Sequence, residues 1–315
     1  MKKLMALVLC AAMLLSASCA LAADINFVTA GTASTFYPIS VTITNLWNEN
    51  IEGMRATATP SGGGIDNLNQ AYDGEAQIGI ANANLVYQAQ EGLASFEGYA
   101  NDNLRIFAGL YLNPNQVVVT KDSGINTLAD LVGKHISIGA AGSTTVDEAE
   151  VHLSVMGKSL DDIQAEYMDT SAAADAMSNT LIDGVWIMAG TPNAAVTQIM
   201  TTTDSKILPI TAEDVAALKA DYPWYAEGTI PAGTYAGQDE DVATSAVKLT
   251  LFITADVDED TVYQMTKLFW ENWDMLTTTH AALAKADPKE ACNDVAGVAI
   301  HEGAARYYRE IGLME

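Results

Sequence analysis

One arrangement recurs along this chain: a short apolar strand, a loop of glycines and small hydroxyl residues, then a helix. The stretch Ile136–Met156 shows it most fully. Ile136 and Ile138 alternate with Ser137, as in a strand. Gly139 and Gly142 let the backbone turn sharply. Thr145 is placed to cap the following helix, and Glu148 three residues on completes a capping box. Val146, Ala149, Leu153 and Met156 share one helical face, and Gly157 stands where the helix stops. The start of such a helix offers free N–H groups and a positive dipole end, here surrounded by Ser143, Thr144 and Thr145. A corner of this kind holds a carboxylate or phosphate. A capped turn with no ligand has the same pattern, so the case for a site depends on finding the device elsewhere.

It occurs three more times. Asp24–Val28 reads as a strand, followed by the loop Thr29–Thr35 with Thr32, Ser34 and Thr35, then Phe36, Tyr37 and Pro38. Ile39, Ile43, Leu46 and Trp47 keep helical spacing. The β-branched run Val41–Thr44 opposes a helix by propensity, but Pro38 suits a first turn and the spacing predicts a helix. Arg55–Thr59 alternates as a strand before Pro60–Gly64, a glycine loop containing Ser61, Gly62 and Gly63, and Ile65, Leu68 and Tyr72 mark a short helix. Val185–Met188, with Trp186, is a strand leading to Gly190-Thr191-Pro192, where Thr191 is expected as N-cap and Pro192 at the first helical position. A further strand, Gln77–Ile80, runs into Asn82 and Asn84. Their amides both donate and accept, which suits a polar ligand; Asn82 as a plain helix cap is the competing reading.

Strands alternating with helices imply parallel sheets with ligands at the strand carboxyl ends. Arg105–Leu112 and Gln116–Thr120 read as strands on either side of Asn113-Pro114-Asn115, where the chain is expected to cross into a second lobe. Ala246–Thr254 is a long apolar strand expected to bring it back. Asp221–Gly237 reads as an ordered aromatic loop, and Asp258–Leu276 and Glu302–Ile311 as covering helices. The expected fold class is α/β with two lobes, each a mixed, mostly parallel sheet flanked by helices, and a ligand cleft between them. Lobe I takes 23–115 and 250–315, and lobe II takes 116–249. All four loops then line one cleft.

Residues 1–22 read as a secretory signal peptide: Met1-Lys2-Lys3, an apolar run, and Ala20-Leu21-Ala22 as cleavage site. Cleavage removes Cys10 and Cys19 and leaves Cys292 alone, so no intrachain disulfide is expected. The 15 basic residues less Lys2 and Lys3, against 40 acidic ones, give a net charge near −27. Nucleic acid and anionic membrane surfaces are thereby disfavoured as partners. A periplasmic, monomeric protein is expected.

Catalysis has little support. The chain lacks a Gly-x-Ser-x-Gly elbow and His-x-x-x-His spacing, and a lone Cys cannot build a zinc site. His135, His152, His280 and His301 lie in apolar or helical contexts. Asp256-x-Asp258-x-Asp260 has Thr261 and Lys267 where a calcium loop needs Gly and Glu, so these acids read as helix-start residues. No catalytic residue, metal or cofactor is therefore expected. None of the four loops contains Arg or Lys, so an anion would be held by N–H groups, hydroxyls and helix dipoles. The same observation also permits a neutral polar ligand.

Thr29-Ala-Gly-Thr-Ala-Ser-Thr-Phe-Tyr-Pro, Ser61-Gly-Gly-Gly-Ile-Asp-Asn-Leu, Ala71-Tyr-Asp-Gly-Glu-Ala-Gln-Ile-Gly and Gly139-Ala-Ala-Gly-Ser-Thr-Thr, with Gln238-Asp-Glu-Asp-Val and His301-Glu-Gly-Ala-Ala-Arg-Tyr-Tyr-Arg-Glu, resemble the TAXI family. These are solute-binding receptors of one branch of TRAP transporters. The resemblance implies a type II periplasmic binding protein, a partner permease driven by an ion gradient, and glutamate, 2-oxoglutarate or related carboxylates as ligands. The chain departs from the family's pattern at Ala33, Ser34 and Thr35, where glycine is usual, and at Asn82 and Asn84, where Gln and Asp are common. Runner-up readings are an exported enzyme on a similar fold and a ligand sensor without transport.

Overall fold

The structure is a computed structural model that describes residues 23–32, 34–279 and 281–315. The expected leader, including Cys10 and Cys19, and the single residues Ala33 and His280 lie outside it.

In chain order the elements are β1 Ala23–Val28, α1 Phe36–Asn50, β2 Met54–Thr59, α2 Gly64–Tyr72, β3 Ile78–Asn82, α3 Ala83–Glu91 and β4 Leu104–Thr120. There follow β5 His135–Ser137, α4 Thr144–Ser154, β6 Gln164–Glu166, α5 Thr170–Ser178, β7 Gly184–Met188, α6 Ala194–Thr202, β8 Ser205–Leu208 and α7 Ala212–Asp221. The chain closes with β9 Ala226–Ile230, β10 Val242–Thr254, α8 Glu259–Glu271, α9 Trp273–Thr277 and α10 Glu302–Glu310.

The sheet runs β2-β1-β3-β10-β4-β7-β5-β6, with β8 on β4 and β9 on β10. On its two flanks the pairs β1–β2, β1–β3, β5–β6 and β5–β7 are parallel. Every antiparallel pair involves β4 or β10. These two long strands are what make an otherwise parallel α/β sheet mixed. In β4, residues 104–114 pair with β10, and Asn115–Val119 pair with β7. Pro114 sits where the partner changes. That is how one unbroken strand accommodates it, where the sequence suggested two strands around a turn.

Helices pack on both sides of each half. The β-branched run of α1 does form helix, because its apolar stripe goes to the core: Ile39, Ile43 and Trp47 are fully buried. Trp47 stacks on Phe27 at 6.0 Å and meets Phe107 edge-on at 5.9 Å. This is tertiary burial outweighing local propensity. In α4, Ala149 and Leu153 are buried, with Val146 and Met156 packed at the edge of the same cluster.

Several local expectations are corrected. The cap of α4 is Ser143, not Thr145, and no side chain caps it. Glu148 cannot close a capping box because its carboxylate is taken up in the interior. It accepts from Asn115 Nδ2 at 2.8 Å and from the Tyr225 hydroxyl at 3.0 Å. The cap of α6 is Asn193, whose Oδ1 accepts from the N–H groups of Ala195 and Val196, so Thr191 and Pro192 precede the helix. Asn82 occupies the cap position of α3 but makes no cap bond. The aromatic stretch after α7 contains β9, an edge strand with Ile230 as its one buried residue, which is why alternation did not reveal it.

Candidate functional site

The carboxyl ends of the flank strands and the adjoining loops surround a cavity of about 150 Å³. From the β1–α1 loop come Ser34 and Thr35. Ser34 Oγ accepts from the Tyr37 N–H, while Thr35 Oγ1 is buried without a partner. From the β2–α2 loop come Ser61, Gly62, Gly63 and Gly64. Asn67, fully buried in α2, holds this loop in place. Its Oδ1 accepts from Ser61 Oγ at 2.6 Å, and its Nδ2 donates to the carbonyls of Thr29 and Ile80 at 2.6 and 2.8 Å. One amide thus ties the ends of β1 and β3 to the glycine loop. Asn67 lay within a motif carrying the resemblance but was not singled out, since sequence spacing alone does not show that an amide is buried.

On the other side, Ser143, Thr144 and Thr145 open α4 along the cavity. Ser143 Oγ is buried and unpartnered, and Thr145 Oγ1 accepts from the Met188 N–H at 3.3 Å. The two sides touch directly. Asp66 N–H donates to the Gly142 carbonyl at 3.0 Å, and Asn82 Nδ2 to Met188 Sδ at 2.8 Å. Gly63 has φ +118°, and a Cβ there would lie 3.2 Å from Ser143 Cα; at Gly64 a Cβ would collide with Thr144 Oγ1. The glycine loop and the α4 entrance are in van der Waals contact because these positions lack side chains.

Of the residues singled out in the sequence, the cavity brings together Ser34, Thr35, Ser61, Gly62, Gly63, Asn82, Ser143, Thr144 and Thr145. It leaves out seven. Thr32 is exposed. Phe36 packs into the core 6.3 Å from Phe27, and Tyr37 is half-buried beside the loop. Asn84 is buried in α3 with Oδ1 unpartnered. Gly142 uses its carbonyl on Asp66. Trp186 is a core residue whose Nε1 donates to Asn115 Oδ1 at 2.8 Å. Thr191 is buried and accepts from Lys285 Nζ, a lysine brought in from the distant 281–285 turn.

The cavity adds residues that sequence reasoning missed: Asn113 from β4, Asp169 and Thr170 at the start of α5, and Asn193. Asn113 Oδ1 is buried and unpartnered. Asp169 caps α5, accepting from Ser171 and Ala172, a pattern legible as an N-cap before the alanine run. Among the described residues no Arg or Lys lines the cavity, and Asp169 is the one charged residue that does.

Behind the α4 entrance lies a sealed polar cluster. His152 Nδ1 donates to the Glu148 carbonyl and Nε2 accepts from Ser245 Oγ, both at 2.7 Å, so one neutral tautomer is fully satisfied. Burial holds its pKa down at about 4. Burial, assisted by Asp147, raises Glu148 to about 8, and burial with Glu150 nearby raises Asp147 to about 7. Ser245, His152 and Glu148 have the residue types of a nucleophile relay. All three are at most 1 % exposed, and none reaches the cavity, so they act as interior links between α4 and the crossing strands. Among the described residues no His, Cys, Asp and Glu group could hold a metal. No helix among them is long and apolar enough to cross a membrane.

Two flank sheets joined by β4 and β10, flanked by helices and with a cavity at the strand carboxyl ends, make a mixed α/β fold. Residues 27–312 match the NMT1-like family, and the chain belongs to it. Solved structures agree on the fold. A protein from Bordetella bronchiseptica RB50 aligns with TM-score 0.57 at 16% identity, over 92% of this chain and 98% of that one. A chain described with glutathione import via GshT and the cystine ABC importer TcyBC of Streptococcus mutans aligns with TM-score 0.52 at 12% identity, over 82% and 94%. A periplasmic transporter aligns with TM-score 0.52 at 13% identity, over 91% and 92%.

Proposed function

We propose that this chain is an extracytoplasmic solute-binding receptor that captures a small organic acid or amino acid and delivers it to a membrane permease. The observation that carries the reading is the convergence of three buried, unpartnered polar atoms on one cavity: Thr35 Oγ1, Asn113 Oδ1 and Ser143 Oγ. Buried polar groups without partners are costly, and a ligand that supplies the missing hydrogen bonds removes that cost. The hydroxyls and the open N–H groups of α4 favour a carboxylate; Asn113 Oδ1 and Asp169 favour a donor such as an ammonium group. Glutamate-like solutes carry both.

In this reading lobe I, 23–115 and 250–315, and lobe II, 116–249, close on the ligand, with β4 and β10 as the two connections. The TAXI-like motifs favour a TRAP-type permease driven by an ion gradient. The Streptococcus mutans neighbour is described with an ABC importer, so ATP-driven import is the second reading. Mass spectrometry of solute released from purified protein tests the receptor reading: one unaltered carboxylate or amino acid per chain supports it, and a turned-over product contradicts it. Uptake by reconstituted permease, energised by an ion gradient or by ATP, separates the two partners.

A further inference from the structure

A second, larger opening lies on the opposite face of the β4–β10 ladder. Leu112 and Lys248 are paired across the ladder and line it; their neighbours Asn113 and Leu249 line the first cavity. Alternation along the strands therefore puts the two cavities back to back. The rear cavity has a volume of about 1250 Å³.

Lys248 is 7% exposed, yet its ammonium makes neither a hydrogen bond nor an ion pair among the described residues. Gly109 makes room for its stem: a Cβ there would lie 3.0 Å from Lys248 Cε. On the wall stands Trp224, whose Nε1 is buried and unpartnered, with Tyr87 at 6.1 Å between ring centroids. Lys248 Nζ and Trp224 Nε1 thus lack an acceptor among the described residues; Lys219 and Lys285 also line the cavity, and Lys285 donates to Thr191. Asp287, Glu290 and Asp294 are exposed on its rim. They attract the Lys248 ammonium from a distance without contacting it.

We propose that this rear cavity is a second binding site, for a zwitterion with an aromatic body such as an aromatic α-amino acid. Its carboxylate meets the Lys248 ammonium and the Trp224 indole N–H, its ring lies against Trp224 and Tyr87, and its ammonium faces the acidic rim. A purely anionic ligand would meet repulsion from those three carboxylates, and a purely cationic one would leave Lys248 unpaired. The site lies against the strands that join the two halves, separate from the cavity of the proposed receptor function.

Calorimetric titration with L-phenylalanine, 3-phenylpropionate and phenethylamine tests it, using wild type, Lys248→Met and Ser143→Ala. The expected result is phenylalanine binding to wild type, at least tenfold weaker binding to K248M, and unchanged binding to S143A. 3-Phenylpropionate and phenethylamine should each bind more weakly than phenylalanine. K248M should melt no lower than wild type, since the change removes no hydrogen bond or ion pair of the Lys248 side chain and keeps its packed stem apolar. As a measurement that needs no variant, phenylalanine should slow reductive methylation of Lys248 and leave Lys158 unaffected. Absence of phenylalanine binding at millimolar concentration, equal binding to K248M, loss in S143A instead, or no protection of Lys248 would each overturn the proposal.

Discussion

The Asp66 N–H donates to the Gly142 carbonyl at 3.0 Å, joining the glycine loop after β2 to the entrance of α4 across the cavity. Those segments lie far apart in the chain, on opposite flanks of the sheet. Their contact closes the site over the atoms that lack partners.

Gly64→Ala should hold the two flanks apart, because its Cβ would collide with Thr144 Oγ1 and come within 3.2 Å of Leu85 Cδ1. Overpacking of this kind costs about 1–3 kcal/mol, and here opening of the cleft relieves it. Small-angle scattering should show a larger radius of gyration in the variant, while its melting temperature changes little.

Ser143→Ala and Thr35→Val should each weaken binding of the recovered solute by about 1–3 kcal/mol, the cost of a lost hydrogen bond in a closed site. Neither side chain caps a helix here, so ligand-free stability should stay unchanged. Calorimetric titration, with thermal melts as control, reads both quantities.

Asn67→Ala should destabilise the fold itself. The carbonyls of Thr29 and Ile80 lose a donor and Ser61 Oγ loses its acceptor. Each buried group left unpaired costs about 1–3 kcal/mol, so denaturant midpoints should fall well below those of the cavity variants.

Stability should decline as pH rises from about 6.5 to 8.5. Glu148 and Asp147 have folded pKa values raised to about 8 and about 7, so over this range the folded state holds protons that the unfolded state has already released. His152 acts oppositely but lower: held down at about 4, it favours the folded state as pH rises to its ordinary value of 6.5. Melting temperature measured against pH should fall across the upper window, and Glu148→Gln should flatten that slope.

The strand-loop-helix units were legible because period-2 and period-3.6 apolar patterns report burial directly, as in Ile136 to Leu153. Nine of the residues singled out for ligand contact do line the cavity, all at strand ends, in the loops that follow them or at the start of α4. What stayed hidden was side-chain direction at element ends. Thr191 and Asn193 are both good cap residues two positions apart, and backbone geometry chose Asn193. Trp186, singled out in the strand before the fourth loop, is turned inward by its position in β7, onto Asn115. Asn113 stood beside a proline and suggested a turn; long-range pairing keeps it in β4 and points it at the cavity.

Hydrogen exchange on the purified protein, with and without the solute recovered from it, tests the central claim most directly. The amides of Gly62–Asp66 and Gly139–Thr145 should become the most strongly protected segments on saturation, because the ligand lies between them and favours their contact. Unchanged exchange in both segments at saturation would contradict a receptor that closes at this cavity.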